Sequence, residues 1–185
     1  MKFTDRVQEL LDTFTENARQ ITAQKSALAA DFQAENITAK IYGEKTAELD
    51  ALANESRLQT AAAIEAVRAD YSKTVEAANL IDGSMLNDDA KILQMPVKLS
   101  QAQFDNLAEK HNDNPLMCQL LRDYAGKHPG EYRFSLPSPE QKIERFNSFC
   151  DTAQALTKSG GLDNLQGAFF QRGDYTPAEC GEEIA

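Results

Sequence analysis

Between Phe3 and Ile81 the chain contains no proline and a single glycine, Gly43. Val7, Phe14, Ile21 and Leu28 recur there at every seventh residue, and Phe3, Leu10, Leu11, Ala18 and Phe32 widen that line into a stripe with polar gaps. A repeat of this kind holds one seam of an α-helix against a partner helix. At about 1.5 Å of rise per residue, two helices of this size are roughly 45 and 60 Å long. The heptad phase breaks around Glu35-Asn36-Ile37-Thr38, where Asn36 or Thr38 can cap a second helix running to about Leu80. So short a break favours an antiparallel hairpin. One nearly continuous helix that pairs between chains is the competing arrangement.

At the front, Asp5 with Gln8 reads as a capping box that starts helix one at Thr4 or Asp5. The apolar set of helix two is Ile41, Leu49, Leu52, Leu58, Ile64, Val67, Tyr71, Val75 and Ala78. Gly43 in its second turn costs about 1 kcal/mol relative to alanine, and marks either a late start or a close helix crossing. Asn17 and Gln24 interrupt the line begun by Phe3 and Leu10, which reads as an imperfect seam more readily than as a register device.

Beyond Asp82-Gly83-Ser84, with Gly83 read as a left-handed cap, the pattern changes to short, well-punctuated helices. Asn87 caps one that Pro96 ends. Ser100 with Gln103 forms a capping box, stapled by Leu99 and Phe104. Asn114-Pro115 opens another helix, stopped by Gly126, and Ser138, Pro139 and Gln141 begin a long last one. The segment from Leu162 carries one apolar cluster, Leu162, Leu165, Ala168, Phe169 and Phe170, expected to dock as a short helix.

Composition narrows function by exclusion. A net charge of −10, with acids exceeding bases in both the long-helix region and the remainder, leaves no basic face able to displace phosphate counterions, so no nucleic-acid partner is expected. No apolar run reaches bilayer length, and Met1-Lys2-Phe3-Thr4-Asp5 leads directly into amphipathic helix, so no membrane partner and a cytoplasmic setting are expected. Cys118, Cys150 and Cys180 are odd in number and far apart, fitting buried thiols better than disulfides or a zinc site. His111, on the apolar side of its helix, reads as a satisfied core histidine, and His128 as an exposed loop residue. The acidic turn from Asp82 to Asp89 lacks the glycine and the final glutamate of a calcium loop. Glu140 and Glu144 lack the Glu-x-x-His of a di-metal bundle. The Arg172-Gly173-Asp174 tripeptide and the sequons at Asn36 and Asn54 need a secretory setting. No catalytic residue, cofactor or metal is expected.

Residues 80–128 carry a recognisable block: Leu80-Ile81-Asp82-Gly83-Ser84, Leu86-Asn87-Asp88-Asp89-Ala90-Lys91-Ile92-Leu93, Val97-Lys98-Leu99-Ser100, and Asn114-Pro115-Leu116-Met117 through Asp123-Tyr124-Ala125. It resembles small helical proteins encoded among the virion structural genes of Firmicutes prophages, whose N-terminal half is likewise a long charged helical arm, echoed by Ile37-Thr38 through Tyr42. The resemblance spans roughly residues 35–128 and brings no catalytic motif. It implies a phage-derived, structural or assembly-related protein.

The expected fold is all-α, a long N-terminal antiparallel hairpin of coiled-coil character followed by a small C-terminal bundle of short helices. The expected divisions are residues 1–82 for the arm, 83–172 for a compact domain and 173–185 for an acidic tail. The leading functional expectation is a non-enzymatic assembly protein that binds itself through the seam Val7, Leu10, Phe14, Ile21 and Leu28, and binds another phage structural protein. The alternative is a monomeric adaptor that takes a peptide in a groove among Phe104, Leu107, Leu120 and Tyr124. The third is an enzyme built on an exposed, low-pKa Cys118 or Cys150 beside a histidine.

Overall fold

The computed structural model describes residues 2–134 and 137–159, and these are all-helical, with no strand among them. The elements are α1 (Phe3–Gln33), α2 (Ala39–Ala78), a 3-10 turn (Gly83–Met85), α3 (Ala90–Gln94), α4 (Gln101–Lys110), α5 (Pro115–Lys127) and α6 (Pro139–Ser159). The chain divides into two compact units. One joins Met1–Tyr71 with the segment that begins at Glu144, and the other is Ser72–Ile143.

In the first unit α1 and α2 pack against each other within the chain as the antiparallel hairpin. Phe3 meets Tyr71 (5.3 Å between ring centroids), Arg6 meets Asp70 (2.7 Å), Lys25 meets Asp50 (2.5 Å) and Phe32 stacks on Tyr42 (4.7 Å). Partner numbers converge steadily toward the turn, the signature of an antiparallel pair in one register. The turn itself is a Schellman cap: Asn36 N–H donates to Asp31 O (2.9 Å) and Glu35 N–H to Phe32 O (3.1 Å). Glu35 sits there at φ 58°, a left-handed conformation that costs a residue with a Cβ about 1 kcal/mol. Thr38 Oγ1 then accepts from Ile41 N–H (3.4 Å), so Thr38 rather than Asn36 caps α2.

Helix one begins earlier than the Asp5 reading places it. Asp5 lies inside the first turn and accepts from Lys2 N–H (3.3 Å), a position where its charge complements the helix dipole. Gly43 lies inside α2 with open space where a Cβ would stand, so neither a late start nor a close crossing explains it. The α2 side chains of that apolar set that are buried are Leu49, Ile64, Val67, Tyr71 and Val75, whereas Ile41, Leu52, Leu58 and Ala78 are exposed. Asn17 and Gln24 are also exposed and act as surface residues, not as a buried register device.

The third helix of this unit is α6, which the sequence reading assigned to the compact C-terminal domain. Tyr71 lies 4.1 Å from Phe146, Arg68 pairs with Asp151, and Gln154 Nε2 donates to Glu65 Oε1 (2.6 Å). Thus α6 runs antiparallel to α2, and its buried face of Phe146, Phe149, Cys150, Ala153 and Leu156 joins Val7, Leu11 and Phe14 of α1 in one core. Its apolar spacing announces an amphipathic helix but not which elements it covers, because the same stripe would satisfy any apolar partner.

In the second unit the short helices surround a core of Leu93, Leu99, Phe104, Leu107, Met117, Leu121 and Tyr124. The predicted caps at Ser100/Gln103 (Ser100 N–H to Gln103 Oε1, 2.9 Å), Asn114 (Oδ1 accepting from Met117 N–H, 3.1 Å) and Ser138/Gln141 (2.9 Å) are all present. Two predicted stops differ. Gly83 is no left-handed cap, since the 3-10 turn starts there with Asp82 accepting from Ser84 N–H (2.7 Å). Gly126 lies within α5, which ends at Lys127. Tyr124 pins the turn before α4 by accepting from Leu99 N–H and donating to Val97 O, both at 3.1 Å. The cluster Leu162 to Phe170 and the residues after Gly173 lie outside the described residues.

Two substitutions should move stability in opposite directions under urea denaturation followed by circular dichroism. Phe146→Ala should cost about 3–5 kcal/mol by opening a cavity where three helices meet. Gly43→Ala should gain up to about 1 kcal/mol, because α2 has room for the methyl and gains helix propensity.

Candidate interaction surfaces

The seam residues are largely consumed inside the chain. Val7, Phe14 and Leu28 are buried, and Leu10 and Ile21 are half-covered, so the stripe expected to join chains chiefly holds α1 in its own bundle. The groove residues fare likewise. Phe104, Leu107 and Tyr124 are core, and Leu120 packs against that core half-covered. A peptide cannot enter there without displacing the centre of the unit, which corrects the groove expectation.

His111 is buried as read, and its ring is held on both sides. Nε2 lies 2.7 Å from Asp89 Oδ2 and Nδ1 lies 3.3 Å from Asn87 Nδ2. Asn87 Oδ1 already accepts from Asp89 N–H (2.9 Å), so its amide faces the ring as a donor. In that arrangement Nδ1 accepts from the Asn87 amide and Nε2 donates to Asp89. Cys118 Sγ meets the carbonyl oxygen of His111 (3.3 Å) and not the ring, so the two do not form a nucleophile–base pair. Burial pushes the Cys118 thiol up, and pushes Cys150 up to about 11. Both thiols are buried, the reverse of the condition a reactive cysteine requires. His128 is half-buried, its ring tilted against that of Tyr124 at 4.8 Å, so it packs on α5 instead of standing free.

The acidic turn is spent on local bonds. Asp82 binds the amide and hydroxyl of Ser84, Asp88 pairs with Lys91 (2.6 Å), and Asp89 takes Lys110 (2.7 Å) as well as His111. The Lys110 ammonium, and after it His111, hold the Asp89 carboxyl below its ordinary range. No cluster of three or more metal-ligating side chains occurs among the described residues.

What remains open is apolar. On the hairpin, Ile41 and Leu52 lie three turns apart on one face of α2, with 40% and 52% of their surfaces exposed, and Phe32 near the turn is also exposed. These side chains belong to the part of the hairpin beyond the last described turn of α6. In the second unit Leu80, Ile81, Leu86, Met95 and Val97 are exposed within one short stretch. Leu80 and Ile81 there line a cavity of about 490 Å³ with Pro115, Gln119 and Arg122. Arg122 donates from Nη2 to Pro137 O (3.1 Å) and lies 5.7 Å from the centroid of the Phe134 ring. No single periodicity marks the Leu80–Val97 set, because its residues all lie in the segments between helices.

No protein-family model, curated protein or solved structure matches this chain. No helix among the described residues is long and apolar enough to cross a membrane.

Two measurements check this chemistry. In a Cys180→Ser background, Cys150 should react with a thiol reagent near pH 8 at least about a hundredfold more slowly in the native than in the urea-unfolded protein, since both its thiolate fraction and its access are reduced. For Asp89 the folded pKa is depressed, so its contribution is fully present above the unfolded pKa and is lost as pH falls through the folded value. Asp89→Asn should therefore lower Tm near neutrality and flatten the loss of Tm on acidification from about pH 5 to about pH 2.

Proposed function

We propose that this protein is a non-enzymatic assembly factor that works by self-association and protein binding, in the phage-particle setting that its resemblance to prophage-encoded helical proteins implies. The observation that carries the reading is the exposed apolar face of the hairpin, Ile41 and Leu52 on α2 with Phe32 near the turn. Ile41 and Leu52 share that helix face with Lys45 and Glu48, which lie between them, and such a mix of apolar and charged side chains suits pairing with another helix. The heptad seam of α1 supports this only indirectly. It stiffens the hairpin that presents the face, and does not itself join chains. The net charge of −10 favours a partner with a basic surface.

A second reading, a monomeric adaptor, draws on the cavity beside Leu80 and Ile81, where apolar side chains stand beside the carboxylates of Glu76, Asp123 and Glu140 and suit a basic, partly apolar peptide. It replaces the expected groove, which is core, with a different surface.

Light scattering after size exclusion, over a concentration series, separates the two. The assembly reading expects a mass above the 20.5 kDa of one chain. It also expects an Ile41→Lys/Leu52→Lys variant of unchanged helix content to fall to a single chain. A wild-type protein that remains a single chain throughout would remove self-association and leave the adaptor reading in its place.

A further inference from the structure

The first unit contains a groove that the chain itself is placed to fill. It has a volume of about 350 Å³ and lies where α6 ends against the hairpin. Phe14, Ala18 and Ile21 of α1 and Ala53 of α2 form its apolar walls, while Arg57 and Lys158 stand at its edge. Because α6 runs antiparallel to α2, it points along the hairpin toward the turn, and Thr157 and Lys158 in its final turns already line the groove. Beyond them the two long helices continue without a third among the described residues.

We infer that this groove is the docking site for residues 162–170 of the same chain, which extend the α6 layer over the hairpin after Gly160-Gly161. Three observations select this occupant. The first is position: the chain passes from Lys158 at the groove wall to Leu162 in four residues. The second is pattern: Leu162, Leu165 and Phe169 are spaced to share one face of a helix, with Ala168 beside them. The third is size and charge. Nine residues as a helix span about 13 Å, close to the roughly 16 Å that separates Phe14 from Lys25 along α1. The only charge from Gly160 to Gln171 is Asp163, and the groove edge offers Arg57 and Lys158 to receive it. Gly160-Gly161 lets the chain step off the α6 axis, which a continuous helix could not do without carrying its stripe around the bundle. The inference concerns a different surface from the Ile41 and Leu52 face and stands whether or not the chain self-associates.

Site-specific thiol protection tests it in the full-length protein. In a Cys180→Ser background, Ala53→Cys places a thiol in the groove wall and Glu55→Cys places a control on the exposed face of the same helix. A bulky maleimide is followed by peptide mass mapping, so the buried Cys118 and Cys150 are scored separately. Adding Leu165→Asp and Phe169→Asp should speed labelling at Ala53→Cys by about tenfold, the loss of a docked cover, and leave Glu55→Cys unchanged. Far-UV circular dichroism should show that α1, α2 and α6 are retained. The same labelling rate at Ala53→Cys with and without the two aspartates would overturn the inference. So would protection that disappears on dilution, because the cover would then be supplied by a second copy of the chain.

Discussion

The first unit depends on one aromatic contact set. Phe3 at the start of α1, Tyr71 in α2 and Phe146 in α6 meet with centroid separations of 5.3, 6.2 and 4.1 Å, and Phe149 lies 5.8 Å from Phe146. Fully burying a side chain of this size is worth about 1.5–3 kcal/mol, and edge-to-face or tilted pairing adds a fraction more. Removing one ring therefore loosens three helices at once. The ion pairs along the same helices, Arg6–Asp70 and Lys25–Asp50, are half-exposed and contribute little by comparison. They report the register that the apolar contacts set.

That anchoring has a consequence along the hairpin. Near the rings, α1 and α2 have α6 as a third wall, and Val7, Leu11 and Ile64 are fully covered. Nearer the turn, among the described residues, α1 and α2 share the apolar stripe between themselves. Leu28 and Leu49 still find cover between them, while Ile41 and Leu52 do not.

The second unit is organised by polar pins around a small core. Tyr124 carries two bonds to the segment before α4, and Tyr132 donates to Leu99 O (2.6 Å). The hydrogen bond with Tyr124, and after it the lost solvation, push the Tyr132 phenol up to about 12, so it remains a donor at any physiological pH. Asn114, besides capping α5, donates from Nδ2 to Met85 O (2.8 Å). These bonds satisfy backbone groups in turns that no helix ladder reaches. His111, Asn87 and Asp89 act in the same way. A buried histidine near a cysteine is here a structural device, and its role is evident from which atoms face it.

The sequence by itself determined the helices and most of their caps, because these follow from local rules, and it favoured the hairpin without excluding one continuous helix that pairs between chains. Heptad spacing, the Ser100/Gln103 and Ser138/Gln141 boxes and Asn114-Pro115 each act within a few residues. It also carried a sound reading of His111, whose place on an apolar face predicts burial with its polar atoms satisfied. The tertiary structure alone decided which stripe meets which. It placed α6 on the hairpin, turned the α1 seam inward, and made core of Phe104, Leu107 and Tyr124 that could equally have lined a groove. Hydrophobic burial has no direction and no address, so an apolar face states that it will be covered without stating by what. The left-handed Glu35 belongs to the same class, since its conformation is imposed by the two helices it joins and not by any preference of glutamate.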